Sequence, residues 1–306
     1  MRLFHDWHGL TDDARGATVA LGNFDGVHLG HMALLRAAHA ARPDAPLGVL
    51  TFEPHPRGYF RPDDPPFRLT LSAERADLLA AQGVDLIYEL PFNHAFSHLA
   101  ADAFFTDVLH QGIGARHLVC GPEFAFGHRR RGSTDFLKSR AEAVGIGVTL
   151  VPLVSDGQGP ISSTRVRREL QDGYPERAAA LLGRPWAIRG EVAHGDKRGR
   201  TIGFPTANIA LGGHLEPARG VYAVRVRLPD GGERGGVANI GRRPTVSTGM
   251  ESRLEVNVFD YAGDLYGAEL SVSLLAYIRE EQKFPGLDAL KAQIAADAAE
   301  ARKLLR

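Results

Sequence analysis

The pattern of apolar runs changes near residue 183, and this change limits the possible folds more than any other feature. Before it, short strand-like runs alternate with helical ones, whereas five strand-like runs follow it without intervening helices. The predicted strands are residues 19–21, 47–52, 86–90, 117–119 and 148–151, then 186–193, 221–227, 236–240, 254–259 and 270–278. Helices are expected to begin near Leu29, Ser72, His98, Ser133 and after Pro285-Gly286, with Ser72, Ser97 and Ser133 as N-caps.

Two domains of different class follow from this change. Alternating strands and helices are typical of a parallel, doubly wound sheet, whose ligands bind beyond the carboxyl ends of the strands. Short strands joined by glycine-rich turns are typical of a small barrel. We therefore predict a Rossmann-like domain over residues 1–183 and a small antiparallel β-barrel with a terminal helix over residues 184–306.

Composition narrows the class of protein. The 306 residues are 44% hydrophobic, and 36 Lys and Arg balance 36 Asp and Glu, so the chain lacks the electrostatic footprint of a nucleic-acid binder. A single cysteine, Cys120, cannot form an internal disulfide and indicates a reducing compartment. Since no apolar stretch approaches the roughly 20 residues of a membrane span, and the first residues are too polar for a signal peptide, we expect a cytoplasmic protein without membrane or nucleic-acid partners.

The first polar motif is GNFDGVHLGH at residues 22–31, between the first predicted strand and the first helix. Its glycines at 22, 26 and 30 allow backbone N–H groups to approach a polyphosphate, and the helix start adds positive potential. His28 and His31 project from the same turn. A tight connection without ligand and a zinc site remain alternatives, whereas the glycine spacing does not fit a dinucleotide fingerprint.

The second motif is ISSTRVR at residues 161–167, which opens a helix after a glycine-containing loop. Its hydroxyls serve either as N-caps or, together with Arg165 and Arg167, as a second anion site. A polyphosphate needs contacts at both ends, so the two motifs suit one ligand.

The second half has its own polar stretch at residues 190–208. Glycines and three cations between 195 and 203 suit a loop over a di- or triphosphate, although a basic hairpin turn is an alternative. Thr206 and Asn208 lie two apart in an extended segment, so they project to one side and offer neutral oxygens to Mg²⁺. Glu255 stands in a strand pattern, where an exposed structural carboxylate is the alternative to a functional one.

Residues 22–31 and 161–167 together resemble the bacterial FAD synthetases, which combine a riboflavin kinase with an FMN adenylyltransferase. The resemblance covers nearly the whole chain, because residues 205–208, 239–245, Glu255 and 264–267 also occur in riboflavin kinase order. It implies an enzyme that phosphorylates riboflavin to FMN, releasing ADP, and then adenylylates FMN to FAD, releasing pyrophosphate. ATP is the co-substrate of both steps, and Mg²⁺ is the implied metal.

The resemblance also implies roles for individual residues. In the adenylyltransferase, His28 and His31 would be catalytic, and the ATP-binding residues would be Gly22, Phe24, Gly30, Ser163, Thr164 and Arg167. In the kinase, Glu255 would be the general base, ATP would contact Gly195, Lys197, Gly203, Thr206 and Asn208, and the last two would hold Mg²⁺. His55, Glu123 and Arg279 would lie on the flavin side.

The chain departs from the family pattern at two of these places. Glu123 stands where members usually carry Asp or Asn, and Asn257 where many carry His. Two other functions remain open: an adenylyltransferase for another phosphate ester, which the kinase-like barrel disfavours, and a flavin-binding regulatory protein with decayed sites. Co-purified flavin without ATP turnover would favour the latter.

Overall fold

The computed structural model describes residues 1–193, 204–245 and 249–306, with the side chains of 243–245 and 249–251 left out. The chain forms two compact units. The first contains Met1–Pro65 and Thr70–Ser162, and the second contains Pro66–Leu69 and Ser163–Arg306. Along the described ranges, no helix combines the length and apolar character that a bilayer crossing needs.

The first unit is built on a six-stranded parallel sheet, which confirms the predicted α/β class. The strand order is β1-β4-β3-β2-β5-β6. The strands are β1 (Arg2–Phe4), β2 (Thr18–Leu21), β3 (Leu47–Glu53), β4 (Leu86–Pro91), β5 (His117–Cys120) and β6 (Gly147–Leu150), followed by a hairpin of β7 (Ser155–Asp156) and β8 (Gly159–Pro160). Because β3, β2 and β5 are neighbours and parallel, the segments that follow them emerge at one edge of the sheet.

Helices of the first unit are α1 (Leu29–Ala41), α2 (Pro56–Phe60), α3 (Ser72–Ala80), α4 (His94–Ser97), α5 (Ala101–Ala103) and α6 (Thr134–Glu142). A π-helix continues from α5 over Phe104–Gly112, and 3₁₀ turns cover Asp12–Ala14 and His128–Arg130. Ser133 caps α6 as predicted, accepting from the Phe136 N–H at 3.2 Å.

Two of the predicted N-caps were wrong, although α3 begins at Ser72 as expected. Ser97 is the last residue of α4, and Asn93 caps that helix instead, accepting from the Phe96 N–H at 2.9 Å. Ser72 is the first residue inside α3, and its hydroxyl donates to the carboxylate of Glu89 rather than capping the helix. For α4 another side chain takes the capping role, whereas for α3 the serine lies one position inside the helix and its hydroxyl is engaged by a neighbouring strand.

The second unit contains α7 (Ser163–Gln171), α8 (Pro175–Leu182) and a closed six-stranded antiparallel barrel, as predicted. The barrel strands are β9 (Trp186–Ala193), β10 (Ala207–Ala210), β11 (Gly220–Arg227), β12 (Glu233–Thr245), β13 (Gly249–Val258) and β14 (Glu269–Arg279), in the order β10-β13-β12-β11-β14-β9. The terminal helix α9 (Leu287–Leu304) packs Ala298, Ala301 and the adjacent Leu305 against the barrel. Leu287, the first residue of this helix, is exposed.

The segment Pro66–Leu69 belongs to the second unit although its neighbours in sequence belong to the first. The indole N–H of Trp186 donates to the Leu69 carbonyl at 2.8 Å, and the Leu215 N–H donates to the Arg68 carbonyl at 2.8 Å. These bonds pair two backbone carbonyls of a four-residue segment whose only regular pairing is an isolated bridge between Arg68 and His214.

Candidate active sites

The turn after β2 holds His28 and His31 in a reciprocal cap at the start of α1. The Nδ1 atom of His28 accepts from the His31 N–H, and the Nδ1 atom of His31 accepts from the His28 N–H, both at 3.3 Å. The two rings are stacked with centroids 3.7 Å apart. An Nδ1 atom that accepts a hydrogen bond carries no proton, so each neutral ring has its proton on Nε2. Both histidines are therefore set up as Nε2–H donors.

The Nε2–H tautomer of the two histidines disfavours the alternative that they bind zinc. A neutral imidazole binds a metal through the nitrogen without the proton, and here that nitrogen already accepts a backbone N–H. Zinc at Nε2 would require an imidazolate or the loss of both caps. The geometry of the pair suits an anionic ligand better than a cation.

Backbone donors of the turn are distributed differently from the sequence prediction. The Gly22 N–H donates to the Leu50 carbonyl at 3.2 Å, and the Gly26 N–H donates to the Thr70 hydroxyl at 3.0 Å, so neither is available to a phosphate. By contrast, no hydrogen bond among the described residues uses the N–H groups of Leu29 and Gly30, which lie in the first turn of α1. These two donors are the ones that can receive an anion.

Close packing explains the residue types of the turn. A Cβ atom on Gly30 would lie 3.0 Å from the His28 ring and 3.2 Å from the Ile161 carbonyl oxygen, so only glycine fits without displacement. Phe24 and Val27 have positive φ angles of 51° and 41°, which is unfavourable for both residue types. Their side chains are buried in the core, so Phe24 can contact a nucleotide only through its main chain.

Thr70, 45 residues further along the chain than Asp25, fixes the turn through hydrogen bonds. The buried carboxylate of Asp25 accepts from the Thr70 N–H at 3.0 Å, while the Thr70 hydroxyl accepts from Gly26. Sequence reasoning missed Thr70 because no local pattern links it to the motif.

Two predicted flavin-side residues follow the neighbouring strands. His55 lies after β3, is buried, and caps α2 by accepting from the Arg57 N–H at 3.0 Å. Glu123 is exposed in the turn after β5. Since β3, β2 and β5 are adjacent, both residues lie at the same sheet edge as the histidine turn. Burial raises the pKa of the Cys120 thiol, at the end of β5, to about 11, so this cysteine is no nucleophile.

The second motif begins α7 in the other unit. Ser163 is the first residue of the helix, and Thr164 beside it is exposed. The Arg167 Nε donates to the Phe67 carbonyl at 2.8 Å, and its guanidinium lies 5.3 Å from the centre of the Phe67 ring. A hydrogen bond and a cation–π contact therefore orient this arginine.

In the barrel, the strand register brings three predicted or motif residues together. Glu255 of β13 is opposite Asn208 of β10 on one side and Asn239 of β12 on the other. Directly paired residues share a face of an antiparallel sheet. Because the next set along the strands, Ile209, Leu254 and Ile240, is completely buried in the barrel interior, Glu255 and the two asparagines lie on the outer face of the sheet. Glu255 and Asn239 are half-buried there, and Asn208 is buried.

The barrel unit also holds a cleft of about 460 Å³, whose lining includes Ala207 and Val256, the neighbours of Asn208 and Glu255 in sequence, but neither Asn208 nor Glu255 themselves. Pro205, Thr206 and Val256 line one side, and the turn from Tyr261 to Tyr266 lines the other. The Asn257 amide donates to the Pro205 carbonyl at 2.7 Å and so fixes the backbone next to Thr206. This bond gives Asn257 a role that a histidine N–H can also fill. The predicted ATP contacts Gly195, Lys197 and Gly203 lie outside the described residues.

Arg279 has partners within the barrel unit. Its guanidinium forms a two-pronged ion pair with Asp297 of α9, at 2.9 and 2.6 Å, and donates to the Glu280 carbonyl at 2.7 Å. Through these contacts Arg279 connects α9 to the end of β14. They do not by themselves indicate flavin binding.

Comparison with known proteins finds a matching enzyme family for each half of the chain. The FAD synthetase family profile matches residues 10–165, and the riboflavin kinase profile matches residues 182–305. The bifunctional riboflavin kinase/FMN adenylyltransferase of Escherichia coli K12 is 42% identical over 99% of this chain and 97% of its own length. The protein of the same description from Bacillus subtilis is 35% identical over 98% and 96%.

A solved structure has the same fold over its full length. The crystal structure of a protein from Streptococcus pneumoniae, described as a macrolide-efflux protein, superposes with a TM-score of 0.87 and 37% identity, covering 98% of both chains. The two family profiles in order, together with near-full-length identity to the curated relatives, show that the chain belongs to the bifunctional riboflavin kinase/FMN adenylyltransferase family.

Proposed function

We propose that the outward face around Glu255 carries out the kinase step and that the turn at residues 22–31 carries out the adenylyl transfer. The chain then converts riboflavin and ATP to FMN and ADP, and FMN and a second ATP to FAD and pyrophosphate. The observation that supports the second assignment best is the reciprocal cap, because it sets two Nε2–H donors beside the backbone donors of Leu29 and Gly30.

In the adenylyl transfer, a phosphate oxygen of FMN attacks the α-phosphorus of ATP, and the bond from that phosphorus to the bridging oxygen of pyrophosphate breaks. The attacking group is already ionised, so no protein base or nucleophile is needed. The protein contributes positioning and hydrogen bonds to oxygens whose charge grows in the transition state. We assign these bonds to His28 and His31, and ATP binding also to Gly30, Ser163, Thr164, Arg167 and the main chain of Phe24. Gly22, whose N–H donates to Leu50, would contact ATP only through its Cα or carbonyl group.

In the kinase step, Glu255 accepts the proton of the ribityl 5′-hydroxyl as that oxygen attacks the γ-phosphorus of ATP. ADP is the leaving group. The strand register supports this role, because it places the carboxylate of Glu255 between the side chains of Asn208, one of the proposed Mg²⁺ ligands, and Asn239.

Thr206 and Asn208 fit the Mg²⁺ that the kinase family implies. Both offer neutral, hard oxygens, the donor type that Mg²⁺ prefers. The Asn208 Nδ2 donates to the Thr206 carbonyl at 3.4 Å, which orients the amide and leaves Oδ1 for a cation. When bound, the metal neutralises charge on the ATP phosphates. Glu123, His55 and Arg279 as flavin contacts, the domain boundary near residue 183, and the cytoplasmic location stay predictions.

The deciding experiment incubates the chain with riboflavin, ATP and Mg²⁺ and separates riboflavin, FMN and FAD by chromatography over time. We expect FMN to appear first and FAD to follow. Bound flavin with no ATP turnover would support a regulatory protein with decayed sites instead. Adenylylation of phosphopantetheine or nicotinamide mononucleotide in preference to FMN would identify a different adenylyltransferase.

A further inference from the structure

Arg75 of α3 is a charged side chain with almost no contact with water. It is 1% exposed, and it forms an ion pair at 2.5 Å with Glu89 of β4, which is 4% exposed. The single hydroxyl of Ser72 also donates to the Glu89 carboxylate, lying 2.6 and 2.8 Å from its two oxygens. A buried ion pair contributes little net stability compared with apolar residues of similar volume, so stability alone does not explain its presence.

The same guanidinium also reaches the ends of two neighbouring strands. Its Nη1 donates to the Asn23 carbonyl at 3.2 Å, and its Nη2 donates to the Phe52 carbonyl at 3.4 Å and to the Glu53 carboxylate at 3.1 Å. Asn23 follows β2, whereas Phe52 and Glu53 end β3. Arg75 therefore connects the carboxyl ends of β2 and β3 to β4, at the edge where the histidine turn lies.

The Asn23 carbonyl, at the start of the turn, accepts hydrogen bonds from two distant side chains, and Arg75 is one of them. It also accepts from the Thr51 hydroxyl at 3.0 Å, and the next residue, Phe24, has the unfavourable φ of 51°. A residue in this conformation persists only where its surroundings determine it. The hydrogen bonds from Thr51 of β3 and Arg75 of α3 to the Asn23 carbonyl fix the backbone directly before Phe24. They therefore stabilise its unfavourable conformation.

We propose that Arg75 is a positioning residue for the adenylyltransferase, fixing the entry to the turn so that His28, His31 and the N–H groups of Leu29 and Gly30 meet the ATP phosphates in register. The proposal depends on the function assigned above to that turn. Arg75 itself does not contact the reacting atoms. The planar fork of arginine is needed, because a lysine can pair with Glu89 but cannot also span the two carbonyls and Glu53.

Three variants separate positioning from the ion pair. Glu89→Gln removes the ion pair but keeps the Arg75 bonds to Asn23, Phe52 and Glu53. Arg75→Lys keeps a positive charge beside Glu89 but loses the fork. Arg75→Met with Glu89→Gln removes both charges together, so no buried charge is left without a partner.

We expect the Glu89→Gln variant to adenylylate FMN within about threefold of the parent protein. The other two variants should lose about 10² in kcat/KM for ATP, since displacement of a binding element by about 1 Å has that effect. KM for ATP should rise as turnover falls. Riboflavin kinase activity in the same samples, and thermal unfolding followed by circular dichroism, serve as controls for concentration and folding.

Near-parental adenylylation in Arg75→Lys or in the double variant overturns the proposal, and so does an equal loss in Glu89→Gln. A loss of turnover at unchanged KM that follows the unfolded fraction also overturns it, because a purely structural role predicts that result. The His31→Ala variant distinguishes the positioning role of Arg75 from the catalytic function of the turn. If His31→Ala is inactive and Arg75→Lys is fully active, only the positioning role fails, whereas a fully active His31→Ala removes the proposed function of the turn.

Discussion

Replacement of His31 by alanine tests the assigned role of the turn most directly. The change removes the Nε2–H donor, the Nδ1 acceptor for the His28 N–H, and a ring stacked on His28 at 3.7 Å. It leaves the other half of the cap, since the N–H of residue 31 can still donate to His28. One change therefore affects both the chemistry and the start of α1.

The two effects differ in size. Loss of one donor to a developing oxyanion lowers the rate by about 10² to 10³, equivalent to about 3–4 kcal/mol of transition-state stabilisation. Loss of a helix cap lowers stability by about 1 kcal/mol, and the high helix propensity of alanine offsets part of it. The first unit, with its large apolar core, should remain folded while the adenylyl transfer is nearly lost.

The assay supplies riboflavin, ATP and Mg²⁺ and follows both products by chromatography. We expect the His31→Ala variant to accumulate FMN with little FAD. The Thr206→Val variant should do the reverse, leaving riboflavin unchanged and accepting only supplied FMN. His39→Ala is the matched control, because His39 is an exposed histidine in the last turn of the same helix.

FAD formation by His31→Ala within about threefold of the parent rate would refute the reasoning. Stoichiometric zinc in the parent protein, lost together with folding in the variant, would restore the metal alternative.

Three other outcomes are expected. Glu255→Gln should lower kinase turnover by about 10² to 10⁴ in coupled assays while FAD still forms from supplied FMN, and near-parental kinase activity would place the base elsewhere. Cys120 should not react with a thiol reagent at pH 8 until denaturant unfolds the chain, because burial raises its pKa to about 11; rapid labelling of native protein would contradict this. Desolvation opposes ionisation of Glu216, but hydrogen bonds from Ser252 and two arginines lower its pKa below 4.5 overall, so its stabilising contribution is complete above that pH and is lost as pH falls through the lowered value. Thermal midpoints between pH 6 and pH 3 should therefore fall more steeply for the parent than for Glu216→Gln.

The domain boundary can be tested by truncation. A chain of residues 1–183 should convert FMN to FAD and leave riboflavin unchanged. It lacks Trp186, whose indole donates to the Leu69 carbonyl, so it should also unfold at a lower temperature. A folded fragment without adenylylation would show that the first half depends on the second.

The sequence by itself determined the class of each half. Strands such as 47–52 and 186–193 are short apolar runs, and the change of pattern near residue 183 separates a parallel sheet from a barrel. Residues 22–31 also pointed to a phosphate site, because glycines, histidines and a helix start are adjacent in the chain. Such signals are local, and local preferences are readable without knowledge of the fold.

Tertiary structure decided how the motif is held. Thr51, Thr70 and Arg75 contact residues 23–26 from 28, 44 and 52 positions away in the chain, and nothing in their own neighbourhoods indicates this. The same holds for the strand β1, whose three residues carry no clear pattern until β4 pairs with them. In the barrel, only the register of β10, β12 and β13 reveals that Glu255 stands between Asn208 and Asn239. Contacts between distant residues form when packing brings elements together, so they belong to the fold as a whole and not to any stretch of the sequence.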